Sequence, residues 1–264
     1  MKRIWVFSDF YVPRTDAKLE KWLQWYVELG CTDVVLGVNE DPPAKWQLRP
    51  PYKLQDFSRA AKALSNAGIT PHIMSWIHDQ DPAYVVDMME GLAPLWEDVG
   101  DEDMSLLVDA EAHWLHRGNN EQQVAYELGL LTDAILLGVT GYAGVKRMEP
   151  KYRSLVEVAD YVIPQAYSNY TPKQAWTGSW GWRPGPCQKM AYKNWTSPLA
   201  DVIMGLGAWH QARPGMSVEE AMGTAFQTCE DLGIEEVAYW SRKHLKRNRH
   251  GEGDFVRRKC TRLK

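Results

Sequence analysis

The stretch SLLVDAEAHW, residues 105–114, holds an uninterrupted apolar run, Leu106 to Val108, and then two acids one residue apart, Asp109 and Glu111. Extended chain sends alternate side chains to opposite faces, so a run that is apolar at every position must be covered on both. That is the signature of a parallel strand sandwiched between other layers. The same alternation makes Asp109 and Glu111 point the same way, with His113 next along that face. A buried strand thus leaves the core with two carboxyls directed into one space.

Seven further runs of this kind lie along the chain: RIWVFSDF (3–10), TDVVLGVN (32–39), TPHIMSWI (70–77), AILLGVTGYA (134–143), YVIPQAYSNY (161–170), DVIMGLGAWH (201–210) and EEVAYWS (235–241). Amphipathic stretches separate most of them, among them KLEKWLQWYVELG and SVEEAMGTAFQTCEDLG, each closing on a glycine suited to a helix C-terminus. The stretch AYVVDMMEGLAPLWEDV also reads as helical, and Pro94 within it is expected to kink or split the helix. Strand–helix alternation over this length predicts an α/β fold, a single (β/α)8 TIM-type barrel over residues 1–241. Three strand cores, VVLGV, ILLGV and VIMGLG, look alike. No glycine-rich nucleotide fingerprint follows the first strand and no P-loop occurs. Residues 171–200, after the sixth strand, are rich in Trp, Gly and Pro and read as a long loop with room for one short helix, on the face where barrels keep their active sites.

Charge is divided unevenly. Residues 242–264 carry ten Lys and Arg against two acids, leaving 20 basic and 32 acidic side chains for the rest of the chain. The segment reads as a basic C-terminal tail, either a solvated extension or a contact for a polyanion. The four cysteines, Cys31, Cys187, Cys229 and Cys260, show no CxxC spacing and read as structural thiols of a reducing compartment. No run approaches the ~20 apolar residues that span a bilayer, and the opening MKRIWVFSDF is too short and too polar for a signal core, so synthesis in the cytoplasm is expected.

In such barrels chemistry lies at the C-terminal ends of the strands. Those ends carry Asp9; Asn39 and Glu40; Trp76, His78 and Asp79; Asp109, Glu111, His113 and Trp114; Thr140 and Tyr142; Gln165, Tyr167 and Asn169; Trp209 and His210; and Tyr239, Trp240 and Ser241. Indole faces stack on pyranose rings while carboxylates and amides take the hydroxyls, so this rim suits a sugar. Two neighbouring carboxyls raise one another's pKa, and a protonated acid beside an ionised one can cleave a glycosidic bond. Glu111, with the longer side chain, is expected to be the general acid, and Asp109 the deeper, ionised, assisting group. Asp9 and Tyr167 complete the expected catalytic set. Trp76, Trp114, Gln165, Asn169, Trp209 and Trp240 are the expected substrate contacts, with no metal and no cofactor.

"LLVDAEAHW" resembles the strand-four signature of the family 25 lysozyme barrels, and family 18 chitinases likewise place an aspartate two residues before a glutamate. Asp9 on the first strand and Tyr167 in "PQAYSNY" on the sixth extend the likeness. The family 18 pattern carries further acids ahead of the pair, where this chain has Leu106 and Leu107. The resemblance implies cleavage of a β-1,4 bond beside an N-acetyl sugar, with Glu111 as acid and Asp109 assisting the acetamido group. Peptidoglycan is the polymer it favours, with a chitin-like chain next. It also implies a bacteriolytic monomer of phage endolysin type, acting at the bacterial cell wall with the basic tail on an anionic polymer. Rival readings stand beside it: nucleic-acid binding through the basic tail, with affinity that falls steeply with salt, and two that concern the barrel itself. One is a metal-dependent barrel hydrolase or isomerase using His78, Asp79, Glu111, His113 and His210. The other is a barrel that binds glycans without cutting them.

Overall fold

Strand β4 (Ser105–Asp109) lies in the interior of one continuous parallel sheet. The computed structural model describes residues 1–8, 10–39, 45–77, 81–111, 114, 120–130, 135–142, 149–167, 184–196, 200–208 and 217–263. In chain order the described elements are β1 (Arg3–Phe7), α1 (Asp16–Leu29), β2 (Asp33–Gly37), α2 (Leu54–Asn66), β3 (Thr70–Trp76), α3 (Pro82–Val99), β4, α4 (Glu121–Gly129), β5 (Leu136–Gly141), α5 (Glu149–Val158), β6 (Tyr161–Pro164), α6 (Pro186–Trp195), β7 (Asp201–Val202), β8 (Met204–Gly207), α7 (Val218–Asp231), β9 (Glu236–Trp240), α8 (Arg242–Arg247) and α9 (Glu252–Thr261). The strand order is β7-β6-β5-β4-β3-β2-β1-β9-β8.

The barrel is the predicted one, with its seventh strand divided. Asp201 and Val202 pair with β6, and past Ile203 the chain changes partner and pairs with β9. Ile203 N still donates to Val162 O at 2.9 Å, and Gln165 forms a bridge to Gly205. One run, 201–207, therefore touches both ends of the sheet and closes it. Helix α3 continues through Pro94 to Val99 without being split. Within the Trp-rich segment the expected short helix is α6; residues 168–183 and 197–199 lie outside the described residues.

Each strand serves two cores. Ile4, Val6, Leu106 and Val108 face outward into the layer of helices, whereas Trp5, Phe7 and Leu107 face inward and fill the barrel with Phe10, Val35, Met74, Tyr161, Ile163, Ile203 and Ala238. Two of the glycines shared by the three look-alike strand cores, Gly37 and Gly138, make room for this filling, and the third, Gly205, lets the backbone of the neighbouring strand approach. A Cβ on Gly37 would stand 2.3 Å from the Phe10 ring, one on Gly138 2.3 Å from Tyr161, and one on Gly205 2.7 Å from Pro164 O. Aromatic volume inside the barrel and missing side chains on its wall are one feature seen from two sides.

The N-terminal end of the barrel is closed by buried polar groups. Arg3 Nε donates to Asp33 at 3.0 Å, and Asp33 also meets His72 Nε2 at 3.0 Å. His72 Nδ1 lies 2.7 Å from Ser105 Oγ, which lies 2.6 Å from the Tyr161 hydroxyl. The Trp5 ring stacks on His72 with centroids 4.0 Å apart. A cavity of about 480 Å³ opens beside this network, at the end of the barrel opposite the acid pair.

The expectation of a tail over 242–264 is corrected. Residues 242–261 form α8 and α9, and Leu245, Phe255, Val256 and Cys260 are buried in the outer core. The Asn248 carboxamide oxygen accepts from Gly253 N at 2.8 Å and so caps α9. The segment is basic because its outward face is basic; its inward face is apolar, and burial of that face holds it to the barrel.

Candidate active site

The inward face of β4 runs Ser105, Leu107, Asp109, and the chain continues in that sense to Glu111. Asp109 sits in register with Trp76 of β3 and Thr140 of β5. Beyond the last paired residues the ladder is prolonged by Ile77 N to Asp109 O at 3.2 Å, Ala110 N to Thr140 O at 2.9 Å, and Gln165 N to Gly141 O at 2.9 Å. These bonds carry strand geometry past the strand ends and fix where the side chains of 109, 111 and 165 begin.

Gln165 ties the pair together. Its Nε2 donates to Glu111 Oε1 at 2.7 Å and to Asp109 Oδ1 at 3.3 Å. Two oxygens sharing one nitrogen can be no farther apart than the sum of those distances, about 6.0 Å. The Tyr142 hydroxyl donates to the second Glu111 oxygen at 3.4 Å. Beneath them the Tyr152 hydroxyl, from α5, donates to the carbonyl of Ala110, the residue between the two acids.

Both carboxyls are pushed toward their neutral forms. Asp109 is only 3 % exposed. Burial first, and the neighbouring Glu111 charge second, hold its carboxyl well above the usual carboxylate range. The indole N–H of Trp76, buried and short of full hydrogen-bond geometry to any acceptor, is near enough to oppose that rise. Burial lifts Glu111 as well, and the donors from Gln165 and Tyr142 pull it back. Among the described residues no Lys, Arg or His pairs with either acid. With no cation beside them, both carboxyls give up their protons less readily than exposed ones do, where an ionised Asp109 was expected from sequence. The two titrate as a unit, since each proton lost changes the field at the other.

The remaining expected site residues divide clearly. Trp76 and Trp240 end β3 and β9 at the same mouth, both half-buried, and Trp240 packs on Phe7 with centroids 5.0 Å apart. The Trp76 backbone is pinned by Asn39, whose Oδ1 accepts from Trp76 N at 2.8 Å. Tyr167 follows Gln165 beyond the end of β6 and is 8 % exposed. Trp114 is corrected: it is fully buried in the outer core, and a ring with no solvent-reached face cannot stack on a sugar. Asp9, Asn169 and Trp209 lie outside the described residues, as do His78, Asp79, His113 and His210 of the metal reading. Among the described residues no three His, Cys, Asp or Glu converge as metal ligands. Two tyrosines were not assigned from sequence. Tyr142 stood at a strand end and carried the positional signal, whereas Tyr152 lies on a helix and carried none.

The fold defined by these elements is a (β/α)8 barrel of the TIM type. The chain matches no protein-family model and no curated protein by sequence. Among solved structures it is similar to the family 18 chitinase of Crocus vernus, with a TM-score of 0.62, 9% identity and 99% of each chain covered. It is similar to the catalytic domain of the hyperthermophilic chitinase of Pyrococcus furiosus (TM-score 0.58, 14% identity, 91% of this chain and 84% of that one). It is likewise similar to the Bacillus megaterium spore cortex-lytic enzyme SleL (TM-score 0.56, 12% identity, 91% of this chain and 70% of that one). At these identities the likeness is one of fold.

Proposed function

We propose that the protein is a glycoside hydrolase that cleaves β-1,4 bonds in a polymer of N-acetyl amino sugars, with peptidoglycan as the polymer and lysozyme-type cleavage as the reaction. The observation that carries this reading is the pair Asp109 and Glu111, joined by Gln165 at the C-terminal mouth of the barrel and held above the ordinary carboxylate range. Glu111 gives its proton to the glycosidic oxygen, and its longer side chain lets it reach outward. Asp109, behind it and held toward its neutral form, orients a substrate acetamido group. Tyr142 and Gln165 steady the glutamate that remains ionised. A separation of at most about 6.0 Å between two of the carboxyl oxygens supports a retaining course, because an inverting pair leaves room for a water at roughly 6.5–9.5 Å. Trp76 and Trp240 offer indole surface at the mouth, Tyr167 holds the reacting substituent, and Asp9, Asn169 and Trp209, outside the described residues, stay in the proposed set on their positions in the sequence. The named neighbours, two chitinases and a spore cortex-lytic enzyme, support the class of polymer. Delivery to a bacterial wall as an endolysin, as a monomer, follows from the same reading.

The test is cleavage of purified peptidoglycan and of N-acetylglucosamine oligomers by wild type, Glu111→Gln and Asp109→Asn, with product masses and anomers recorded. Muropeptide fragments with new reducing ends, lost in Glu111→Gln, support the proposal. Chitin oligomers cut with peptidoglycan intact would move the substrate to chitin. No cleavage of either by wild type, with oligomers still bound, favours a glycan-binding barrel instead.

A further inference from the structure

We infer that a groove between α1 and α8 is a binding site for a phosphate group. The groove has a volume of about 400 Å³ and is lined by Tyr11, Lys18, Lys21, Trp22, Arg242 and Lys246. Of the six described residues that line it, four are cations and none is an acid. Lys18, Lys21 and Lys246 are exposed, and none of them meets a carboxylate among the described residues. That differs from much of the surface, where Lys62 pairs with Asp98 at 2.6 Å, Arg153 with Glu157 at 2.8 Å and Arg258 with Glu219 at 2.7 Å.

Arg242 makes the groove a built one. Its guanidinium carbon lies 5.9, 5.3 and 5.8 Å from the ring centroids of Tyr11, Trp25 and Tyr26. Its Nε is buried and meets no acceptor among the described residues. Aromatic rings hold the planar group by its faces and leave the donors at its edge unspent. Four positive charges around one small volume repel each other, and an anion placed among them relieves that repulsion. A carboxylate brings one charge, a phosphate up to two, and lysine ammonium groups serve phosphate as point charges without requiring a fork geometry.

Position gives the site a use. Tyr11 follows β1, and Arg242 comes two residues after Trp240, so the groove opens at the same end of the barrel as the acid pair. A phosphate carried on the polymer whose sugars occupy the mouth would reach it. That connection rests on the proposed function; the phosphate site itself does not.

Isothermal titration at 0.15 M NaCl tests the site without any cleavage, so its outcome is independent of the hydrolase reading. The probes are tripolyphosphate, for a free phosphate compound, and a glycerol phosphate polymer, for a phosphodiester chain. Wild type is compared with K21Q/K246Q, which strips the groove, and with R257Q/R258Q, which removes the same charge from α9. Saturable binding of either probe, weakened about tenfold or more in K21Q/K246Q and unchanged in R257Q/R258Q, is the expected result. Which probe binds identifies the source of the phosphate. No saturable binding of either, or equal weakening in both double variants, overturns the site.

Discussion

Replacing Asp109 by Asn should stabilise the protein, and increasingly so as pH rises. Asp109 is 3 % exposed, no cation pairs with it among the described residues, and burial and the Glu111 charge hold it well above the usual carboxylate range. Below the ordinary aspartate range, near pH 3.9, folded and unfolded chains both carry the proton and the group makes no difference. Above it the unfolded chain ionises first, so folding must take up a proton. The stability that the neutral group contributes is therefore lost as pH rises through its folded-state value. Within that window each pH unit removes about 1.36 kcal/mol from wild type. Asn has nearly the same shape, keeps an acceptor for Gln165 and does not titrate, so the variant escapes this loss. For a chain of this size the difference corresponds to roughly 3–5 °C in Tm per pH unit. Reversible thermal or urea unfolding of both proteins, from pH 4 upward in unit steps, reads it directly. Parallel stability curves would refute the reasoning, for they would mean that Asp109 ionises as freely in the fold as out of it.

Three further outcomes follow from the same coordinates. Gln165→Met keeps length and removes the amide that donates to both acids, so it should lower kcat/KM by about 10- to 100-fold, the equivalent of one lost charged hydrogen bond, and move the alkaline limb of the pH profile upward as Glu111 loses a donor; an unchanged profile counts against the clamp. Gly138→Ala places a methyl group 2.3 Å from Tyr161, whose hydroxyl is anchored on Ser105, and should cost about 1–3 kcal/mol in denaturant unfolding, whereas a neutral result would show the ring free to move. Phe255→Ala should cost about 3–5 kcal/mol, since the ring is fully buried, while a loss under about 0.5 kcal/mol would return α9 to the status of an appendage.

Much of this molecule is written in local patterns. The apolar strands, their order and the placing of Asp109, Glu111, Trp76, Gln165 and Trp240 on one rim follow from periodicity and from the rule about strand ends. The division of the seventh strand at Ile203 does not, because closure is a property of the whole sheet and no local signal marks where a strand changes partner. Charge misled at the C-terminus: ten basic side chains hid the buried Leu245 of α8 and the buried Phe255, Val256 and Cys260 of α9, the last three spaced for one helix face. Trp114 shows the limit of counting tryptophans, since a ring near the rim can turn into the core. The Gln165 bridge and the Tyr152 prop depend on distances between segments far apart in the chain, and Tyr152 approaches from a helix that the strand-end rule never consults.

Everything proposed for the site depends on one property: the two carboxyls at the barrel mouth release their protons less readily than ordinary carboxyls do. The measurement closest to it is a ¹³C NMR titration of the Asp109 and Glu111 side-chain carboxyl carbons, assigned by the Asn and Gln variants. At least one of the two should titrate above the ordinary carboxylate range, and each variant should shift the other's curve downward. Two independent titrations, both within the range of exposed acids, would contradict it.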